Sequence, residues 1–266
     1  MIAAVYILAC VTSSFAAVTV IDLTHDLSED SVFWPGAPPF NFTILNREQR
    51  DGFWYEFNYV GTSEHGSTHA DAPAHFAKGQ WRVHEIPASN LVGPAVMIDV
   101  SQKAKSDPDY RLSVDDIQKW EATHGRIPDR AVVLAYFGID KLYPNPFLVF
   151  GTRTPSDPTT FHFPSIHPEA ATFLTGQRSV IAVGVDGPST DYGQSTTFDT
   201  HVILGKHNVL GLEGVNNIAK LPPRGATVVI GLIKTKDGSG GPARILGIID
   251  DRAGSGVCEG LIHTDL

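Results

Sequence analysis

Cysteine is almost missing from this chain: Cys10 and Cys258 are the only two among 266 residues. Cys10 falls in an N-terminal apolar run, and loss of that run leaves no partner for an intrachain disulfide. The fold must then rest on its core. Charge is sparse as well. Only 18% of residues are charged, with 20 Lys and Arg against 29 Asp and Glu, for a formal net charge of -9. Phosphate binding needs a basic patch, so no nucleic-acid partner is expected. Beyond the N-terminus no apolar run reaches the length that spans a bilayer, which speaks against an integral membrane protein. Internal repeats and low-complexity linkers are missing too. So is a Gly-x-Ser-x-Gly nucleophile elbow, which argues against a serine hydrolase.

What is present begins with the short apolar run Ile2 to Val11, followed by Thr12, Ser13, Ser14, Phe15, Ala16 and Ala17. Small residues at Ser14 and Ala16 suit a secretory cleavage site, so residues 1–17 read as a signal peptide and residues 18–266 as the mature domain. No Lys or Arg precedes the run, which leaves a buried first strand or an anchor as alternatives. The expected location is secreted or the secretory-pathway lumen. The sequon Asn41-Phe42-Thr43 would then be available for a glycan.

Apolar residues make up 42% of the chain, enough for a sizeable core. Val96–Val100, Ala131–Phe137, Val180–Val185, Thr227–Ile233 and Ile245–Ile249 read as strands. Several lack polar alternation, which suits strands covered on both faces. Ser113 with Asp116 resembles a capping box ahead of Ile117 and Trp120, and Pro168 is placed to open a second helix. The expectation is one mixed α/β (α+β) domain around a large, largely buried mixed sheet. Residues 31–60 are rich in aromatics, among them Phe33, Trp34, Phe42, Phe53, Trp54, Tyr55, Phe57 and Tyr59. They read either as an edge strand with its packing or as a rim over a pocket.

The segment from His65 to His75 places three His and one Asp within eleven residues. Gly66 and Pro73 argue against a regular helix there. Positions 65, 69, 71 and 75 are all odd, so an extended path would put the four side chains on one side. Imidazole and carboxylate without thiolate suit a divalent cation such as Zn²⁺ or Mn²⁺ rather than a structural zinc knuckle. Downstream, His201 ends a polar stretch and Glu213 lies in an apolar run. A carboxylate there is costly to bury unless it is paired or metal-bound, and a strand-end Glu reaching solvent is the plainer reading.

At these residues the chain resembles the cyclase-like metal-dependent hydrolase family, which includes bacterial kynurenine formamidases and isatin hydrolases. The family signature His-x-Gly-Thr-His-x-Asp-x-Pro-x-His matches His65 to His75, with Ser67 standing in place of the inner glycine. The Ile21–His25 segment, the Trp34-Pro35-Gly36 run and the Asp186–Asp191 stretch resemble further family segments, and Ala37 departs from an acid common in the family.

The resemblance implies a swivelling β/β/α-type domain, assembled as a homodimer or larger. It implies one or two divalent ions, with His65, His69 and Asp71 at one site and Asp71, His201 and Glu213 at the other. It makes His75 the proton-transfer residue and turns Trp34 toward a planar substrate. The implied activity is cleavage of a C–N bond in a small aromatic amide. An arylformamidase converting N-formylkynurenine to kynurenine and formate, as in tryptophan catabolism, comes first. An isatin hydrolase or another aryl-amide or lactam hydrolase is the alternative. A secreted, non-catalytic metal-binding or interaction protein is the reading from a different class.

Overall fold

The computed structural model describes residues 18–250, and the signal-peptide reading of residues 1–17 lies outside them. Twelve strands form among the described residues: β1 (Val18–Asp22), β2 (Asn41–Arg50), β3 (Phe53–Gly61), β4 (His69–Asp71), β5 (Val92–Asp99), β6 (Arg111–Leu112), β7 (Val132–Tyr136), β8 (Ser165–Ile166), β9 (Ala182–Val185), β10 (Leu210–Glu213), β11 (Arg224–Leu232) and β12 (Gly240–Asp250). Five α-helices accompany them: α1 (Ser101–Ser106), α2 (Val114–His124), α3 (Pro146–Val149), α4 (Pro168–Gln177) and α5 (Asp199–Lys206). All five strand runs and both helix starts read from the sequence are present. Ser113 and Asp116 form the reciprocal capping box of α2, and Pro168 opens α4.

The main sheet runs β1-β12-β11-β5-β7-β9-β10-β4, and β4 pairs back onto β12. Seven strands therefore close into a barrel, while β1 extends the free half of the β12 edge. The run β5-β7-β9-β10 is parallel, and the remaining pairings are antiparallel, so the sheet is mixed. The seam strand β4 has only three residues, matched against Gly211–Glu213 on one side and Gly240–Pro242 on the other.

Strand alternation divides the apolar residues into two cores. Ala95, Val132, Leu134, Ala182, Leu212 and Val228 fill the barrel interior together with Ala70 and Ile245. Val96, Ile98, Val133, Ala135, Val183 and Val185 face outward, under Ile117 and Trp120 of α2 and Phe173 and Leu174 of α4. This double coverage explains why the parallel strands read as continuous apolar runs. A third, smaller cluster joins Val32, Val149, Phe150, Phe161 and Phe163, with Trp34 packed on it.

The aromatic stretch divides in two. Phe33 and Trp34 line a cavity. The remainder forms the β2–β3 hairpin, whose Phe42, Phe53, Trp54, Phe57 and Tyr59 are exposed. The hairpin is a two-stranded arm outside the main sheet rather than an edge strand of it.

Candidate metal centre and pocket

Period-two alternation in β4 sends Ala70 into the barrel and turns His69 and Asp71 outward. Glu213, the last residue of β10, lies directly across from His69 in the ladder. Two glycines flank Asp71: Gly211 on β10 and Gly240 on β12. A Cβ at Gly211 would stand 3.1 Å from Asp71 Oδ2, and one at Gly240 would stand 2.5 Å from His65 Cε1. Both neighbours thus leave the room that the carboxylate and imidazole occupy. His201 enters from the first turn of α5, and His75 arrives on a 3-10 turn opened by Pro73. The extended path expected for residues 65–75 is therefore confined to three residues. Strand alternation puts His69 and Asp71 on one side, and the bends before and after β4 bring His65 and His75 to them.

The donor atoms converge. Asp71 Oδ1 is 2.7 Å from His65 Nδ1 and 3.4 Å from His69 Nε2. Asp71 Oδ2 is 3.4 Å from His201 Nε2, and Glu213 reaches His201 Nε2 at 2.9 Å and His69 Nε2 at 3.4 Å. Bonds of about 2.0–2.1 Å to a tetrahedral cation put ligand atoms roughly 3.3 Å apart, so this spacing fits. Two triads share Asp71: His65, His69 and Asp71, and Asp71, His201 and Glu213. His69 Nε2 and Asp71 Oδ2 are buried and have no hydrogen-bond partner. Buried polar atoms are rarely left so, and a divalent cation is the group this set lacks. Glu213, read on its own as a strand-end side chain reaching solvent, is instead only 5% exposed and faces the two imidazoles.

Each imidazole is fixed from behind. His69 Nδ1 is 3.1 Å from the Ser67 carbonyl oxygen, and His201 Nδ1 is 2.6 Å from Asp191 Oδ2. Asp191 also accepts from the backbone N–H groups of Thr200 and His201, which fastens the start of α5. His65 Nε2 is 2.9 Å from Ser239 Oγ, whose hydroxyl donates to Glu64. Such outer contacts set the tautomer and aim the other nitrogen inward. None of Asp191, Ser239 or Glu64 was marked as a site residue from the sequence. Outside the centre, His167 caps α4 by accepting from the Glu169 N–H.

The electrostatics follow from burial. Desolvation disfavours a charged His69, but Asp71 and Glu213 outweigh it and raise its pKa to about 9. His201 is likewise held well above the ordinary value, against its own burial, by Glu213, Asp191 and Asp71. Asp71 is held well below the carboxylate range despite burial, because the imidazoles of His201, His65 and His69 lie against it. His75 behaves oppositely: burial, with His65 and His201 nearby, lowers it to about 4, so its ring is neutral at pH 7. Its ring stacks on His65 at a centroid distance of 3.8 Å.

The centre forms one wall of an open-mouthed cavity of about 260 Å³. The cavity lies beyond the carboxyl ends of β7, β9 and β10, where open α/β sheets place ligands. Trp34, Phe76, Ile139, Phe150 and Phe198 give it an apolar lining opposite the charged wall. Trp34 is held edge-on against Phe150 and Phe161 at 6.0 and 5.3 Å. Asp186 accepts from the backbone N–H groups of Phe137, Gly138, Ile139 and Asp140, tying the two loops that roof the cavity. Burial pushes its carboxyl up to about 7, against those four donors.

The Cyclase family model matches residues 21–192. The chain belongs to the Cyclase family. The match includes the His65–His75 segment and stops short of His201 and Glu213, which the fold brings to it. An isatin hydrolase of Roseibium aggregatum is 28% identical over 225 residues, covering 82% of this chain and 84% of that one. A kynurenine formamidase of Salinibacter ruber is 25% identical over 227 residues, covering 84% and 94%. Among solved structures, isatin hydrolase A from Ralstonia solanacearum superimposes with a TM-score of 0.80 at 32% identity, covering 88% of this chain and 92% of that chain. The Cyclase-family chain is an enzyme, a hydrolase of the kind that acts on amide C–N bonds.

Cation binding to this Cyclase-family centre must displace the protons held on His69 and His201. Raised pKa values mean protonated imidazoles at neutral pH, so apparent affinity for Zn²⁺ or Mn²⁺ is expected to climb as pH rises toward about 9. Calorimetric titrations in buffers of different ionisation enthalpy should show proton release at pH 7. A proton count of zero would contradict this assignment.

Proposed function

We propose that this chain is a divalent-metal-dependent hydrolase that opens the C–N bond of a planar aromatic amide or lactam. The observation that carries the reading is the juxtaposition of an apolar, aromatic-walled cavity with a buried carboxylate–imidazole cluster whose inner atoms lack partners. His65, His69, Asp71, His201 and Glu213 would hold one or two ions. A bound Zn²⁺ or Mn²⁺ supplies Lewis acidity and lowers the pKa of a coordinated water from 15.7 to about 7. Trp34 and Phe150 would flank the aryl ring and exclude water. His75, neutral at pH 7 and without a hydrogen bond to its ring among the described residues, can take a proton from water and return it to the leaving nitrogen. The products are a carboxylate and an amine.

N-formylkynurenine is the first substrate to test. The likeness to isatin hydrolases, at 32% identity and a TM-score of 0.80, supports testing a cyclic aryl lactam beside it. Purified protein should hydrolyse isatin or N-formylkynurenine, and chelation should abolish turnover. His69→Ala should lose metal and activity together. His75→Ala should keep its metal yet lose about 10²- to 10⁴-fold in kcat. Metal-loaded protein that turns over neither substrate would refute the aryl-amide reading, and near-normal turnover by His75→Ala would refute the role of that residue.

The exposed hairpin supports a second part of the proposal, assembly into a homodimer or larger. Phe53, Tyr55, Phe57 and Tyr59 alternate along β3 and so share one face, at 54%, 37%, 53% and 57% exposure. Contiguous apolar surface of this kind marks an interface. Light scattering of the eluting protein should give at least twice the 28.7 kDa chain mass, and Phe57→Asp with Tyr59→Asp should lower it. A monomeric wild type would overturn the assembly. Secretory placement rests on residues 1–17 alone, and N-terminal sequencing of exported protein, expected to begin near Val18, tests it.

A further inference from the structure

Ser67 departs from the family signature at the position where the backbone most favours glycine. Its φ is 53°, in the left-handed region that glycine adopts at no steric cost. A serine kept in that conformation points to a use for its side chain. The residue is held from three directions. Its N–H donates to the Val32 carbonyl oxygen, its carbonyl oxygen meets His69 Nδ1, and its Oγ accepts from the Tyr143 hydroxyl at 2.9 Å. Tyr143 is itself fixed. Its ring stacks on His25 at 3.9 Å, and its oxygen accepts from the Val32 N–H.

The Tyr143 proton is spent on Ser67 Oγ, so the Ser67 hydroxyl keeps its own proton to donate. No acceptor for that proton exists among the described residues. Ser67 is only 7% exposed, yet it lines the same cavity as His69 and Glu213. The donor thus stands in a largely apolar pocket beside the charged wall. A site built to donate a hydrogen bond discriminates against ligands that lack the acceptor.

We infer that Ser67 is a specificity-determining residue whose hydroxyl donates to a second carbonyl oxygen of the ligand, selecting vicinal dicarbonyl aryl rings over monocarbonyl ones. This rests on the proposed reading of the cavity as the substrate site. Tyr143 is the positioning residue that orients the hydroxyl.

The test uses metal-loaded full-length protein and two probes without an amide to cleave, indane-1,2-dione and indan-1-one. Binding is read by calorimetry, so it does not depend on turnover. Wild type should bind the dione about tenfold more tightly than the monoketone. Ser67→Gly, which relieves the backbone, and Ser67→Ala, which keeps the Cβ, should each remove that preference while metal content stays unchanged. A preference that survives both substitutions, or no preference in wild type, would overturn the assignment. Failure to hydrolyse isatin alongside an intact, Ser67-dependent preference would refute the proposed reaction and leave the role of Ser67 standing.

Discussion

A buried carboxylate has to be neutralised, and Asp71 is the carboxylate around which this molecule is arranged. It is 5% exposed and contacts three imidazoles. Taking such a charge out of water costs several kcal/mol in real proteins unless partners compensate. Here the partners come from three parts of the chain: the bend before β4, β4 itself and α5. The same requirement calls for glycine at position 240, where a Cβ would stand 2.5 Å from His65, and makes position 211 tight, where a Cβ would stand 3.1 Å from the Asp71 carboxylate. It also explains the raised imidazole pKa values. Without a cation, protons on His69 and His201 offset the charges of Asp71 and Glu213. The centre can therefore exchange protons for metal without leaving bare charge in the fold.

The shortest strand of the main sheet carries this centre, and topology gives the reason. β4 is the seam at which the barrel closes, paired on both edges over only three residues. Its inward residue, Ala70, belongs to the barrel core, while its two outward residues belong to the site. Two well-filled cores, one inside the barrel and one beneath the helices, anchor the sheet on either side. The strain at Ser67, roughly 1–2 kcal/mol for a non-glycine residue in the left-handed region, is absorbed because hydrogen bonds hold that residue at three atoms.

Much of this was legible in the sequence. The parallel strands were readable because burial on both faces leaves uninterrupted apolar runs, and α2 was readable because its cap is local. The His65–Asp71 cluster was readable because its members are close in the chain. Barrel closure was not, since a three-residue strand has no periodicity to detect. Glu213 gave a weak signal, a lone acid in an apolar run, and only the ladder with β4 shows what it faces. The hairpin aromatics were misleading for a related reason. Alternation in Phe53–Tyr59 reports a strand with one apolar face, but not whether that face meets the body of the same chain.

The residues the sequence hid share one property: they act through other residues. Asp191 grips His201 and the α5 N-terminus, Ser239 and Glu64 fix His65, and Asp186 ties together two loops across a separation of nearly fifty positions. Side chains of this kind are ordinary polar residues in ordinary loops until the fold supplies their partners. Their effect is geometric. An imidazole with a free rear nitrogen can rotate or change tautomer, whereas one bonded at the rear presents a single nitrogen in a single direction. Three rings constrained in this way, with a neutral fourth ring stacked on one of them, separate two tasks that histidine performs equally well. The constrained rings suit charge and ligation, and His75, desolvated and free of carboxylate hydrogen bonds, stays neutral at pH 7 with its ring open to accept a proton. Environment, more than residue type, assigns the roles at this centre.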